Sequence, residues 1–206
     1  MNNYVSDAVV RRLPRYRRYL KKLKDQGIQR ISSKDLGNIM DVTASQIRQD
    51  LNHFGGFGQQ GYGYGVEELE GKLEEIMGLD RTYNIAFVGC GRLGRAIINY
   101  LIGNEPIYKV VGLCDNRPDM IGTEIAGVTI QSKEDFKKRM QRGIDILVIT
   151  APAVIAEEVA EDVAGTEIKG VWNFGHTELN IKGVKVINVH LSDSLHALCY
   201  YINHPD

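Results

Sequence analysis

Thiols are scarce in this chain: among 206 residues there are three cysteines, Cys90, Cys114 and Cys199. So few and so scattered, they exclude a disulfide-stapled secreted scaffold and a zinc module. His53, His176, His190, His196 and His204 have no metal-ligand spacing either. No apolar run approaches the roughly 18 residues that a membrane span needs. The arginine-rich stretch Met1–Leu20 lacks the apolar core of a secretory signal. The absence of internal repeats and low-complexity tracts sets aside solenoid, collagen-like and disordered classes. Net charge is almost absent, with 25 Lys and Arg against 26 Asp and Glu. What is there, 43 % hydrophobic and 25 % charged residues, is the composition of a soluble globular protein. One or two domains, cytoplasmic and without membrane association, are the expectation.

The even balance hides a split. Residues 1–60 carry 11 Lys and Arg against 5 Asp and Glu, a net of +6; residues 61–206 carry 14 against 21, a net of −7. A basic segment joined to an acidic one predicts two domains with different partners, nucleic acid for the first. There, Val9, Leu13, Tyr16, Leu20 and Leu23 share one helical face over Val5–Lys24, and Gly27 is a stop signal. Pro14 predicts a break, because proline inside a helix removes a hydrogen bond; a second segment would start near Arg12. Ser32 or Ser33 caps the next helix, with Leu36, Ile39 and Met40 as its buried face. After the turn Asp41-Val42-Thr43, Thr43 caps a helix over Ala44–Phe54 that buries Ile47 and Leu51. Two short helices joined by a tight turn form a helix-turn-helix pattern. The second offers Ser45, Gln46, Arg48, Gln49 and Asn52 to base edges in a major groove. Six glycines within residues 55–65, interleaved with aromatics, predict a thin β-hairpin wing. Glu67–Met77 reads as a linker helix, and a domain boundary is expected near 78–83. The plainer reading of this half is a small helical bundle with a solvated basic face.

In the second half, the apolar strand Tyr83–Val88 enters Gly89-Cys90-Gly91-Arg92-Leu93-Gly94. A helix follows with Leu93, Ala96, Ile97, Tyr100 and Leu101 on its inner face. GxGxxG between strand and helix is the phosphate turn of a Rossmann-type dinucleotide site. Gly89 makes the tight turn, Gly91 admits a pyrophosphate to the backbone, and Gly94 lets helix and strand pack closely. The helix start supplies free N–H groups to the anion. Asp115 ends the strand Lys109–Cys114, near the position, about 20 residues on, of the acid that binds the adenosine ribose. It repels a 2′-phosphate and favours NAD(H) over NADP(H); Arg117 argues the other way. Strands at Ile144–Ile149, Ile168–Trp172 and Val184–Ile187 and a helix at Val154–Ala164 continue the alternation. Gly89, Asp115, Ala151, Pro152, Asn173 and Phe174 then share one crevice beyond the strand ends. Cys90, beside a helix N-terminus, reads as a small loop filler or as a thiol of lowered pKa. Leu191, Leu195, Leu198 and Ile202 form the apolar stripe of a terminal helix, to be packed on its own domain or on a partner chain. A dehydrogenase with a basic appendage competes with a DNA-binding regulator, but only residues 189–206 remain for a substrate domain. A CoA-binding protein is a third reading, and Asp115 favours a dinucleotide over it.

Arg12-Leu13-Pro14, Ser32–Leu36, Gln46–Leu51, Phe54–Tyr64, Gly89–Gly94 and Trp172-Asn173-Phe174 occur here in an order that resembles the Rex-type redox-sensing transcriptional repressors, over essentially the whole chain. The resemblance implies an α/β chain with a winged-helix DNA-binding domain over 1–80 and a Rossmann NAD(H)-binding domain over 81–188. A C-terminal helix, 189–206, would be exchanged between the subunits of a homodimer. It implies a repressor rather than an enzyme, bound to a palindromic operator in double-stranded DNA, released by NADH, with NAD+ competing. DNA contacts would fall to Arg12, Arg15, Ser33, Thr43, Ser45, Gln46, Arg48, Gln49, Gln60, Gly61 and Tyr64. Cofactor contacts would fall to Gly89, Cys90, Gly91, Arg92, Leu93, Gly94, Asp115, Ala151, Pro152, Asn173 and Phe174, with Tyr100 and Leu191 beside them. Arg18, Tyr100 and His190 would form an interdomain switch. Two positions depart from the family pattern. Gln59 and Gln60 stand where the wing often carries Lys or Arg, which predicts a shallower salt dependence. His190 stands where some members have Asp, and a cationic histidine does not bridge Arg18.

Overall fold

The computed structural model describes residues 5–57 and 62–205. The chain divides into two compact units, Met1–Arg81 and Thr82–Asp206. Residues 189–206 fall in the second of these units.

Unit 1 opens with α1 (Asp7–Asp25), capped by Ser6, whose side chain accepts from the Val9 amide. Its buried residues are Val9, Leu13, Tyr16, Leu20 and Leu23, at helical spacing. The break expected at Pro14 is absent: the proline lies inside one continuous helix. Pro14 is exposed and Val10, whose carbonyl loses its helical partner, is 48 % exposed. Water can therefore take the place of the missing donor, and the apolar stripe holds the two turns together. The helix ends at Gly27 (φ +75°), where the Ile28 amide reaches back to the Leu23 carbonyl at 3.0 Å.

β1 (Arg30–Ile31) leads into α2 (Ser33–Met40), capped by Ser32, and α3 (Ala44–Asn52), capped by Thr43. Between them Asp41 adopts the left-handed conformation, φ 53°. Gly37 is the residue that lets the two helices meet: a Cβ there would lie 2.5 Å from the Val42 carbonyl oxygen. The buried stripe of α2 is therefore Leu36, Gly37 and Met40. Ile39, expected inside, is 45 % exposed because that stripe is rotated toward the glycine. Helix α3 ends two residues earlier than expected and buries Ile47, Asp50 and Leu51. β2 (Tyr64–Gly65) pairs antiparallel with β1, Ile31 opposite Tyr64. Among the described residues of 55–65, β2 is the one strand, and it pairs with β1 rather than within the segment. Gly58, Gln59, Gln60 and Gly61 lie outside the described residues. α4 (Val66–Met77) closes the unit, burying Leu69 and Leu73 in the core that holds Leu13, Tyr16 and Leu20.

Unit 2 runs β3 (Tyr83–Val88), α5 (Arg92–Asn104), β4 (Tyr108–Cys114), β5 (Glu124–Ile125), β6 (Val128–Gln131) and α6 (Lys133–Arg139). It continues with β7 (Ile146–Ile149), α7 (Ala153–Val163), β8 (Gly170–Asn173), β9 (Lys185–Asn188) and α8 (Asp193–Asn203). The strands lie in the order β5-β6-β4-β3-β7-β8-β9. All neighbours are parallel except the β5–β6 hairpin. From β6 to β9 this is the doubly wound 3-2-1-4-5-6 order, whose switch point falls between β3 and β7. Strands buried on both faces read as apolar runs, which is why β3 and β7 were legible. Helix α5 buries Gly94, Ile98 and Leu101, whereas Ala96 and Tyr100, expected inside, are exposed. The glycine contact sets that rotation. No residue of α8 is buried.

Candidate functional site

The switch point of unit 2 holds a cleft of about 290 Å³. Its floor is the turn after β3. Gly89 has φ +92°, and a Cβ there would meet the Thr150 carbonyl carbon at 2.8 Å. A Cβ on Gly94 would fall 2.2 Å from the Gly89 carbonyl oxygen and 2.8 Å from Thr150 Oγ1. Gly91, by contrast, has nothing within 4 Å of its Cβ position. The first and third glycines thus fit the protein to itself, and the second leaves open space over the loop. The amides of Arg92, Leu93 and Gly94 precede the first intrahelical bond, Arg95 N–H to the Gly91 carbonyl at 2.9 Å. They are free to bind an anion, with the helix dipole behind them.

Asp115 closes one end of the cleft and is 6 % exposed. Its Oδ2 accepts from the Cys90 amide at 2.8 Å. Its Oδ1 accepts from the Arg117 amide at 3.0 Å and from Arg117 Nε at 3.3 Å. Burial pushes this carboxyl up, but the Arg117 and Cys90 hydrogen bonds and the Arg117 charge outweigh it, and the net shift is downward. The acid stays ionised, ties the glycine turn to the end of β4, and keeps a lone pair on Oδ2 for a hydroxyl. Phe136, Met140, Ile155 and Val159 wall the cleft with apolar surface, and Ala151 and Pro152 rim it. Lys133 pairs with Glu158 at 2.5 Å, and Lys137 pairs with Asp162. A flat apolar slot, an ionised acid and a free helix N-terminus suit an adenosine diphosphate moiety.

The other expected cofactor residues are distributed differently. Cys90 is buried in the turn; burial, then the Asp115 charge, pushes its thiol up to about 12. That removes the reading of a thiol with lowered pKa. Asn173 is fully buried at the end of β8, its amide donating to the Thr177 carbonyl and to Asn188 Oδ1. Phe174 packs on Trp172, ring centres 4.7 Å apart. Both stand at the same sheet edge as the cleft but outside its lining. Tyr100 and Leu191 are exposed, and neither lines the cleft. His190 Nε2 lies 2.8 Å from Glu178 Oε1. Helix α6, with Lys133, Phe136 and Lys137, went unread in the sequence. Its signal was the cap Ser132-x-x-Asp135, since the Asp135 amide does bond Ser132 Oγ at 3.2 Å.

In unit 1 the exposed residues of α3 include Ser45, Arg48 and Gln49. Arg48 Nη1 donates to Ser33 Oγ at 2.9 Å, and Thr43 Oγ1 accepts from the Gln46 amide at 3.1 Å. Arg15 donates to the Met40 carbonyl and lies over the Tyr19 ring, and Arg18 is exposed. Two of the residues expected at DNA also have partners within the unit. Tyr64 is 7 % exposed in the core of the unit. Arg12 forms a two-pronged ion pair with Asp50, at 2.6 and 2.8 Å. Asp50, fully buried, is the residue missed in the sequence; it lies on the same helical stripe as Ile47 and Leu51. Gln60 and Gly61 lie outside the described residues. Among the described residues, no helix is long and apolar enough to cross a membrane.

Comparison with known proteins supports both halves. Residues 4–52 match the family described as "Putative DNA-binding protein N-terminus", and residues 80–177 match "CoA binding domain". The chain is 50 % identical over 203 residues to the redox-sensing transcriptional repressor Rex of Clostridioides difficile (strain 630), covering 97 % of this chain and 96 % of that protein. It is 46 % identical over 204 residues to the Rex repressor of Clostridium perfringens (strain 13 / Type A), covering 98 % and 96 %. Among solved structures, RSP in complex with β-NAD+ and operator DNA superposes with a TM-score of 0.90 at 46 % identity, covering 97 % of this chain and 93 % of that one. RSP in complex with β-NADH gives 0.88 at 43 %, covering 97 % and 94 %.

Proposed function

The chain belongs to the Rex family of redox-sensing transcriptional repressors, and from that premise we propose that it holds a palindromic operator as a homodimer and releases it when NADH occupies unit 2. One observation carries this reading: a helix-turn-helix and a dinucleotide-shaped cleft, closed by an ionised Asp115, stand in one chain. The relatives solved with NAD+, NADH and operator DNA support the same ligands here. The reading is regulatory and cytoplasmic, with Arg48, Gln49 and Ser45 as groove contacts. In the cleft, Asp115 takes the adenosine ribose and the turn 89–94 takes the pyrophosphate; the nicotinamide extends beyond it along the sheet edge toward Asn173 and Phe174. Asp115 disfavours a 2′-phosphate, while Arg117, whose side chain is tied to it through Nε alone at 3.3 Å, stays half exposed beside it.

Pyrophosphate and adenosine contacts are common to NADH and NAD+, so discrimination falls to the nicotinamide side. Apolar groups there, Phe174 and, in the dimer, Leu191 of the partner subunit, penalise burial of the NAD+ ring charge. A ligand of equal affinity for the DNA-bound and free states shifts nothing, and a full switch asks for about 5.5 kcal/mol of difference. A dimer reads half-sites about one helical turn apart, so a change in that spacing is enough to release it. The wholly exposed α8 supports an exchanged dimerisation helix.

The test is a mobility shift on a labelled palindromic operator with each nucleotide titrated at fixed salt. Release is expected at far lower NADH than NAD+. Asp115→Ala is expected to raise the NADH needed by about 10- to 100-fold, the worth of hydrogen bonds to a charged group, with operator binding retained. Operator binding indifferent to both nucleotides would sink the sensor reading.

A further inference from the structure

The buried Asp50 carboxylate of α3 is the centre of a hydrogen-bonded network that reaches Arg12, Tyr16 and Gln46. The Asp50 carboxylate accepts from Arg12 Nε and Nη2 at 2.6 and 2.8 Å, from the Tyr16 hydroxyl at 2.7 Å and from Gln46 Nε2 at 2.7 Å. Burial pushes this carboxyl up, but the hydrogen bonds of Arg12, Tyr16 and Gln46 together with the Arg12 charge outweigh it, and the group is held below its ordinary value. An ionised carboxylate only accepts. The amide of Gln46 must therefore turn its nitrogen toward Asp50 and its oxygen away.

Gln46 is the third residue of α3, where Thr43-x-x-Gln46 has the pattern of a capping box. Thr43 makes its half of that box, but the Gln46 side chain bonds Asp50. Its Oε1 has no hydrogen-bond partner among the described residues, and no buried side-chain polar atom there is left without one. Oε1 thus reaches solvent, beside the exposed Ser45 and Gln49.

We infer that Asp50 fixes the orientation of the Gln46 amide, so that α3 presents an acceptor that cannot flip and the protein selects an amino base over a keto base at one operator position. This rests on reading α3 as the recognition helix. Each base pair shows one amino donor in the major groove, adenine N6–H or cytosine N4–H, opposite a keto acceptor on thymine or guanine. A free glutamine rotates its amide and accommodates either. One held by Asp50 reads the strand that carries adenine or cytosine, and meets guanine or thymine acceptor to acceptor. Asp50 is a positioning residue in this scheme and touches no base.

Selection from a fully randomised duplex library, followed by mobility shifts on single base-pair variants at fixed salt, tests it. The wild type is expected to prefer adenine or cytosine at one half-site position by about tenfold, the order of a single mismatch. Gln46→Ala should flatten that position and leave the others unchanged. Gln46→Glu loses the bond to Asp50 but can only accept, so it should keep the preference while total affinity falls from the added charge near Asp50 and near phosphates. Asp50→Asn should relax the same position; if that variant fails to fold, Gln46→Glu decides alone. A preference for guanine or thymine that Gln46→Glu inverts, or a Gln46→Ala profile identical to wild type, overturns the inference. A wild type that selects no sequence fails the recognition-helix reading itself and takes this inference with it.

Discussion

Two carboxylates, Asp50 and Asp115, show how one residue type is recruited to hold a functional element in place. Each is buried and kept ionised by hydrogen bonds that outweigh the cost of burial. Asp115 also governs its neighbour. Cys90 lies in the glycine turn that opens α5, a place where a helix N-terminus ordinarily favours thiolate. Burial wins there, and the Asp115 charge adds to it, so the thiol is pushed up to about 12; burial alone is the leading cause that lifts Cys114 to about 11. Both stay protonated at neutral pH, and a thiol reacts as its thiolate. At pH 8 an alkylating reagent is therefore expected to leave Cys90 and Cys114 unmodified in the native protein and to label both in denaturant, as read by peptide mass spectrometry. Labelling of native Cys90 as fast as the exposed Cys199 would show that the turn opens, and would restore a direct thiol response to oxidants.

At the scale of elements, glycines decide how closely backbone meets backbone, and equal residues in helices carry opposite consequences. Gly37 sits in α2 where a Cβ would strike the Val42 carbonyl at 2.5 Å, a backbone atom that moves only if the turn opens. Gly71 sits in α4 with nothing within 4 Å. Gly37→Ala is expected to destabilise unit 1 by about 1–3 kcal/mol, the cost of overpacking, and to abolish operator binding. Gly71→Ala should stabilise it by up to about 1 kcal/mol through helix propensity. Urea melts followed by operator titration separate the two, and NADH binding should be the same in both. These contrasts also mark what the sequence made legible. The GxGxxG turn, its flanking β3 and α5, and the acid at 115 could be read because strand, turn and helix signals fall in register within one short segment. The rotation of α2 and α5 could not, because it is set by which backbone each glycine is pressed against, Val42 for Gly37 and Gly89 with the sequence-distant Thr150 for Gly94, and residue pattern does not encode that. Pro14 misled for a related reason: propensity is local, and the stripe from Val9 to Leu23 overrides it. Asp50 was hidden because a charged residue on an apolar stripe has meaning only with its partners, and Arg12 and Tyr16 lie 38 and 34 residues away.

At the scale of the whole molecule, α8 is an element without a home in its own chain. Leu195, Leu198 and Ile202 on its stripe, and Leu191 just before it, are 62, 51, 68 and 54 % exposed. Fully burying such a side chain is worth about 1.5–3 kcal/mol, so covering the exposed half to two-thirds of these four is worth roughly 3.5–7 kcal/mol per chain. Two-fold symmetry counts that gain twice, against an association cost of about 4–15 kcal/mol. The two are of the same order, so the stripe supplies a large share of what a dimer needs and the rest of the interface decides its affinity. Because α8 buries nothing within the chain, charges on the stripe should leave both units folded. Leu195→Asp combined with Leu198→Asp is expected to sediment as a monomer with an unchanged far-UV circular dichroism spectrum. Operator affinity should fall by orders of magnitude, since one recognition helix is left to hold one half-site. A double variant that still sediments as a dimer and still binds the palindrome at wild-type affinity would show that the stripe serves another purpose, and that subunit pairing rests on a different surface of unit 2.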